Sequence, residues 1–283
     1  METTRLKDKV AVVTGAGGTL CSAMAIDLAR NGAKVVLVGR TLAKLQEVEK
    51  QIKAEGGMAL AVAADVANQA EVESAHNKVL ESFGPCHILI NGAGGNQAAA
   101  TTTLNAFDEK ELHAENPDFR GFFNLQMDKF LDVINVNTMG TVIPSFVFGK
   151  DMARNKEGNI INIASMNSYR PLTRVAAYGM AKAGIANFTQ WLATYLAPAN
   201  IRVNAIAPGF FLNDRSRRIL LTPDEKGLTS RGENIMHHTP LKKFGEAQQL
   251  LGCMHWLIDN EAAAFVTGIV VPVDGGFLAS SGV

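Results

Sequence analysis

The sequence predicts an α/β fold in which one doubly wound parallel sheet carries helices on both faces, as a single domain over residues 1–283. Two observations carry this. Short β-branched runs alternate with longer segments of helical period, and the runs are apolar throughout instead of alternating. Strands of that kind need cover on both faces, which a parallel sheet provides. Strand–helix–strand repetition with short connections then gives a doubly wound arrangement.

Each element follows in order. "KVAVVTG" (9–15) reads as a buried first strand, and "TLCSAMAIDLARNG" (19–32) as a helix that ends at Gly32. "AKVVLVGR" (33–40) is the second strand, and the amphipathic "TLAKLQEVEKQIKAEGG" (41–57) is the second helix. "MALAVAADV" (58–66), the helical "QAEVESAHNKVLESFG" (69–84) and "CHILINGAGG" (86–95) continue the pattern. Later strands are expected at 158–165, 200–209 and 268–276, with long helical segments between them. Two stretches break the repeat. Residues 96–130 are polar and aromatic, residues 210–245 are rich in Arg and Lys, and each follows a strand end. In open α/β sheets the carboxyl ends of the strands are where ligands sit, so both excursions are assigned to the substrate side.

Composition excludes several classes. Lys plus Arg equals Asp plus Glu, so the net charge is zero, which gives no support to nucleic acid or an anionic membrane as partner. No basic flank precedes a long apolar stretch at the N-terminus, and no run of 18 or more apolar residues occurs. The three Cys (Cys21, Cys86, Cys253) are odd in number and far apart, which suits free thiols in a reducing compartment and a cytoplasmic location. The six His show no ligand spacing, so no metal is expected, and His237-His238 reads as a solvated loop pair.

"TGAGGTLC" places Gly15, Gly17 and Gly18 between the first strand and its helix. Such a Rossmann-type turn aims backbone N–H groups at a pyrophosphate, and the helix dipole adds positive charge there. At the end of the second strand, where a carboxylate would accept the ribose hydroxyls, stand Gly39 and Arg40. A guanidinium in place of a carboxylate favours a 2′-phosphate, hence NADP(H) over NAD(H) as second cofactor. Tyr178 and Lys182 are four residues apart and share one helical face, and Ser165 stands 13 residues before the Tyr at a strand end. A phenol is a poor acid–base catalyst at neutral pH. A neighbouring ammonium lowers its pKa, and a Ser hydroxyl can hold an oxygen on which charge develops.

With these motifs the chain resembles a short-chain dehydrogenase/reductase along nearly its whole length. "TGAGGTLC", Asp65-Val66, "NGAG" at 91–94, "NVN" ending at Asn137, Ser165, "YGMAK", "RVNAIAPG" and "VDGG" match in order. The resemblance implies that Tyr178 is the general acid/base, that Lys182 lowers its pKa and binds the nicotinamide ribose, and that Ser165 orients the carbonyl oxygen. Asn137 would support a water chain that returns the proton. Asp65 and Val66 would bracket the adenine, Asn91, Gly92 and Ala93 would line the cofactor cleft, and Pro208-Gly209 would border the nicotinamide. Thr19 and Leu20 would meet the phosphates. The family's glycine turn is broken at Thr19 and Cys21, and the second Asn of its "NNAG" is Gly92; Cys21 is expected to be a buried structural thiol.

The 45 residues between Asn91 and Asn137, with "GGNQ", "GFFL" and the C-terminal "FVTGIVVPVDGGFLASSGV", are similar to a sugar-acid branch of the family, the D-mannonate oxidoreductases or fructuronate reductases. That similarity implies hydride transfer between a nicotinamide and the keto carbon of a hexuronate. Asn96, Gln97, Asn167 and Arg174 are the candidate substrate residues, with Arg120, Arg215, Arg217, Arg218 and Arg231 as further cations. Other polyol or gluconate dehydrogenases and 3-oxoacyl reductases of the same family are alternatives, and a non-catalytic NAD(P) sensor is the alternative outside enzymes. The resemblance also implies a homodimer or homotetramer, packed through the helices around 130–155 and 176–197.

Overall fold

The computed structural model describes residues 6–113 and 119–280, apart from the side chains of Asp214 and Arg215. Seven strands form one sheet: β1 (Val10–Thr14), β2 (Lys34–Gly39), β3 (Met58–Ala63), β4 (Ile88–Asn91), β5 (Gly158–Ile163), β6 (Ile201–Pro208) and β7 (Val270–Val273). Their order is β3-β2-β1-β4-β5-β6-β7, and every pairing is parallel. All five residues of β1 and all six of β5 are buried, as expected for strands covered on both faces.

On one face, Met24 and Leu28 of α1 (Thr19–Arg30) and Leu45 and Ile52 of α2 (Leu42–Ala54) share a core with Met254 and Leu257 of the C-terminal helix Leu251–Ile258. On the other face, Val72 and Val79 of α3 (Gln69–Ser82) pack with Phe148 and Met152 of α4 (Met127–Asn155) and Leu192 of α5 (Ala176–Leu196). Each such side chain contributes roughly 1.5–3 kcal/mol on burial. α4 is long and apolar enough to cross a membrane by length and composition alone. Here Val147, Phe148 and Met152 lie in the core instead.

A buried polar ladder pins α4 and α5 to the sheet. Asn91 at the end of β4 donates from Nδ2 to Ser145 Oγ (2.9 Å) on α4 and to Asn162 Oδ1 (2.9 Å) on β5. Asn162 in turn donates to Thr189 Oγ1 (2.9 Å) on α5. Inside a low-dielectric core such bonds are directional, so they set where the helices sit along the strands.

The expected strands and helices are present with ends trimmed by a few residues. The excursions are more ordered than their sequences suggest. The first is short 3₁₀ turns (Ala98–Ala100, Glu109–Leu112, Phe122–Asn124), and its last four residues already belong to α4; residues 114–118 lie outside the description. The second folds into α6 (Asp214–Leu220) and α7 (Ser230–His238). His237 and His238 are therefore the last turn of α7, not a loop, and His238 Nδ1 bonds the Asn234 carbonyl (2.8 Å). The helix Leu251–Ile258 that closes the first face becomes α8.

Candidate active site

The strand order reverses between β1 and β4, and a cleft of about 530 Å³ opens there at the carboxyl ends of the strands. Gly15 makes the turn out of β1 with φ +67°, and a Cβ on it would press within 2.8 Å of the Ala93 backbone. Only glycine accommodates both demands. The two turns are also tied by Thr14, whose buried Oγ1 accepts N–H bonds from Gly92 (3.1 Å) and Ala93 (3.2 Å). α1 begins behind an extended Gly18 with no side-chain cap, so its first-turn N–H groups face the cleft without a local acceptor.

Gly15, Gly17, Gly18, Thr19, Leu20, Arg40, Asp65, Val66, Gly92 and Ala93 all line this cleft, as the sequence predicts. Cys21, Thr41, Lys44, Gly94, Val136, Ile163 and Asn213 line it too. Uncapped N–H donors, a glycine cradle and basic Arg40 and Lys44 fit a dinucleotide with its phosphates at α1.

Of the residues assigned to the cofactor, Asn91, Tyr178, Lys182, Pro208 and Gly209 do not line the cleft. Asn91 gives both Nδ2 hydrogens to the polar ladder, with its side chain buried between α4 and β5. Pro208 is buried at the end of β6, and Gly209 is covered by Asp274, against which a Cβ would stand at 2.6 Å.

Cys21 and Gly92, the two departures from the family pattern, fit together. A Cβ built on Gly92 would overlap Cys21 Sγ, so the thiol fills the room a side chain at 92 would take. Cys21 is buried as expected, and burial pushes its thiol up to about 12, against a weaker downward pull from Lys182. It is a protonated packing group.

Behind Ile163 and Gly94 of the cleft wall, Lys182 is 4% exposed and donates from Nζ to the Ile163 carbonyl (2.7 Å) at the end of β5. Burial brings it down to about 8, and Cys21 opposes that shift only weakly. The ammonium stands 5.5 Å from the centroid of the Tyr178 ring, one helical turn earlier on the same face. Tyr178 is half-buried against Ala100, Val133 and Ala177. Ser165 follows β5, buried, and its Oγ accepts the Asn167 N–H (3.2 Å). A Cβ on Gly94 would lie 3.7 Å from Lys182 Nζ and against Asn137 Oδ1, so these groups meet on one wall.

The side chain of Asn137 is bonded to the backbone around it. Both Nδ2 hydrogens are committed, to the carbonyls of Gly95 (2.7 Å) and Val133 (2.7 Å), and Oδ1 accepts the Gly95 N–H (3.2 Å). The amide anchors the Gly94–Gly95 turn beside Lys182.

Of the substrate candidates, Asn96 bonds Thr101 Oγ1 (3.1 Å) and the Gln97 N–H (2.9 Å), shaping its own turn. Gln97 is exposed. Asn167 is buried, and its Oδ1 accepts the Leu172 N–H (2.9 Å), which closes the loop between Ser165 and α5. Arg120 supports the first excursion through the Thr101 carbonyl (3.2 Å). Arg217 pairs with Glu225 (2.8 Å), Arg218 is exposed, and the side chain of Arg215 lies outside the described residues. Arg174 sits at the mouth of α5 with Nε on Asn105 Oδ1 (2.7 Å). Among the described residues no group of three or more His, Cys, Asp or Glu could hold a metal.

The short chain dehydrogenase family matches residues 9–222. The uncharacterised oxidoreductase UxuB of Bacillus subtilis (strain 168) is 46% identical over 278 residues, 98% of each chain. The 2-dehydro-3-deoxy-D-gluconate 5-dehydrogenase of Formosa agariphila is 34% identical, over 98% of this chain and 95% of its own. A Haemophilus influenza protein provisionally assigned as a D-mannonate oxidoreductase, solved with NAD bound, superposes with TM-score 0.93 at 42% identity over 99% of each chain. A turn that cradles phosphates, a Tyr–Lys pair on one helical face and a family match over most of its length place this chain among the short-chain dehydrogenases, as a nicotinamide-dependent oxidoreductase of alcohol and keto groups.

Proposed function

We propose that the chain interconverts a sugar acid and its keto form, with D-mannonate and D-fructuronate as first candidates and NADP(H) preferred over NAD(H). The observation that carries the catalytic reading is the buried Lys182 ammonium, pinned to the Ile163 carbonyl and set beside the Tyr178 ring. The nicotinamide, when bound, donates or accepts the hydride. Tyr178 gives its proton to the substrate oxygen on reduction and takes it back on oxidation. The Lys182 charge stabilises the phenolate in between. Ser165 donates a hydrogen bond to the same oxygen as charge develops on it. The carbonyl of Ile163 keeps Lys182 oriented, and Asn137 holds the Gly94–Gly95 turn that bounds it.

Gly15, Gly17, Gly18, Thr19 and Leu20 would hold the pyrophosphate, and Asp65 and Val66 the adenine. Arg40 and Lys44 line the cleft beside the end of β2 and would meet a ribose 2′-phosphate, with Gly39 in place of a carboxylate, which supports the NADP(H) preference. The provisional assignment of the Haemophilus protein supports the substrate. The Formosa relative favours a second reading, a related keto-deoxy sugar acid oxidised at a different carbon.

A homo-oligomer is also proposed. Trp191 and Tyr195 stack on the exposed side of α5 (centroids 5.1 Å apart), and Phe146 of α4 and Met180 of α5 are exposed as well. A second copy would cover these apolar groups, and light scattering of the purified chain should give a dimer or tetramer mass. Three free cysteines support a reducing, cytoplasmic location.

The functional test is a panel of sugar acids, each with both nicotinamides. D-Fructuronate reduction or D-mannonate oxidation should lead the panel. Good turnover of a β-ketoacyl thioester with none of either sugar acid would reject the reading.

A further inference from the structure

The chain after β7 folds back as a compact turn at the carboxyl ends of the strands. Asp274, the first residue past β7, accepts the Gly276 N–H at Oδ1 (2.8 Å) and the Leu278 N–H at Oδ2 (2.8 Å). Gly275 and Gly276 carry φ +65° and +87°, a region that glycine enters without the penalty of a Cβ. The Gly276 carbonyl then accepts the N–H groups of Ala279 and Ser280 (3.1 Å each).

This turn touches both segments that leave the neighbouring strands β5 and β6. A Cβ on Gly209, just past β6, would stand 2.6 Å from Asp274 Cα, and the Phe277 ring meets the Phe210 ring edge-on (centroids 5.3 Å apart). The Gly275 carbonyl accepts the Leu241 N–H (3.1 Å), so the turn also holds the second excursion where it leaves α7. On the β5 side, Arg170 lies in the loop between Ser165 and α5 and donates from Nη1 to the Ser280 carbonyl (3.0 Å). Its neighbour Tyr169 donates from Oη to the Val270 carbonyl (2.5 Å) of β7. The inner half of the same loop has anchors of its own. Ser168 Oγ donates to the Lys182 carbonyl (2.7 Å), and the Ser165 carbonyl accepts the Ser168 N–H (2.8 Å).

We infer that the turn Asp274–Ser280 is a positioning element for the reaction, with Arg170 as its latch. It fixes the spacing between the loop that follows Ser165 and the excursion that follows β6. A substrate lying between those two segments is met by walls already in place, which lowers the ordering cost of binding it. Ser165 and Lys182 are held by the inner anchors, so unseating the turn weakens substrate binding more than it slows the chemical step. Arg170 is thereby a positioning residue and not a catalytic one. The inference rests on the catalytic reading of Ser165 and Tyr178 given above, and not on which substrate they serve.

The test uses the full chain with Arg170→Ala, Arg170→Lys, Phe277→Ala and the double variant Arg170→Ala/Phe277→Ala, assayed on D-fructuronate. Where wild type turns over a polyol or a β-ketoacyl thioester instead, that compound replaces it; the sugar-acid reading then falls and this test stands. In each single alanine variant KM should rise roughly 3- to 10-fold, as for loss of one ordinary contact. The kcat should stay within a few-fold, and NADP(H) affinity should be unchanged. Arg170→Lys, which still donates to a carbonyl, should recover part of the loss. Once the turn is unseated a second change has little left to remove, so the double variant should lose no more than about twofold beyond Phe277→Ala. Hydrogen exchange supplies a readout without turnover: the amides of Leu241, Gly276 and Leu278 should exchange faster in both alanine variants, and those of β4 should not. KM losses that multiply, or a KM loss with unchanged exchange, would make Arg170 a direct substrate ligand and overturn the inference. Faster exchange with an unchanged KM, or no change in either, would leave the turn a structural role alone and overturn it as well.

Discussion

Cys21 Sγ occupies the space that a side chain on Gly92 would need, so the helix after the glycine turn and the turn after β4 are packed as one unit. Each residue departs from its family's pattern, and each departure makes room for the other.

Gly92→Ala alone should therefore overpack the junction and lower stability by about 1–3 kcal/mol, with weaker NADP(H) binding. Adding Cys21→Gly should restore much of both. A double-mutant cycle on urea unfolding should give a coupling of at least roughly 0.5 kcal/mol. Additive losses would show that the two positions do not share this space.

Replacing Tyr178 by Phe removes the proton donor and leaves the ring packed against Ala100, Val133 and Ala177. Steady-state kcat should fall by about 10²–10⁴-fold while fluorescence titration gives an unchanged NADPH affinity. A variant that retains most of its rate would remove Tyr178 from the chemistry.

Lys182 carries a pH signature. Its folded value is brought down to about 8 by burial, whereas an unfolded lysine keeps its proton to about 10.4. Between those values the unfolded chain binds more protons, so this group makes stability rise with pH across that window. Below about pH 8 its destabilising contribution, of order 3 kcal/mol, is constant. Denaturant unfolding at several pH values from 7.5 to ~10.5 should give a flatter profile for Lys182→Met than for wild type. Parallel profiles would mean that the ammonium is better solvated than its position at the Ile163 carbonyl implies.

Arg40 should decide the choice of cofactor. Arg40→Ala should lower kcat/KM with NADP(H) by roughly 10- to 100-fold and leave NAD(H) within a few-fold. Equal losses with both would assign Arg40 to something other than a 2′-phosphate.

Much of the cofactor side was legible because it depends on backbone. Gly15, Gly17, Gly18 and Arg40 line the cleft where the strand and helix pattern places them, and Asp65 and Val66, named by motif, line it as well. Two other side chains named by motif fared differently. Asn91 at the end of β4 and Asn137 inside α4 both donate from their amides to groups 42 to 71 residues away, which no local pattern announces. Thr14 was missed because a threonine ending a strand looks like any other strand residue until its hydroxyl meets the β4 turn.

By itself the sequence determined the layered α/β fold, the strand order of events along the chain and the Tyr178–Lys182 face, because period and short spacing are properties of local backbone. The tertiary structure alone decided that Cys21 fits Gly92 and that Asn137 anchors Gly95. Those partners are brought together by chain crossovers, and no local pattern encodes which distant side chain will fill a given space.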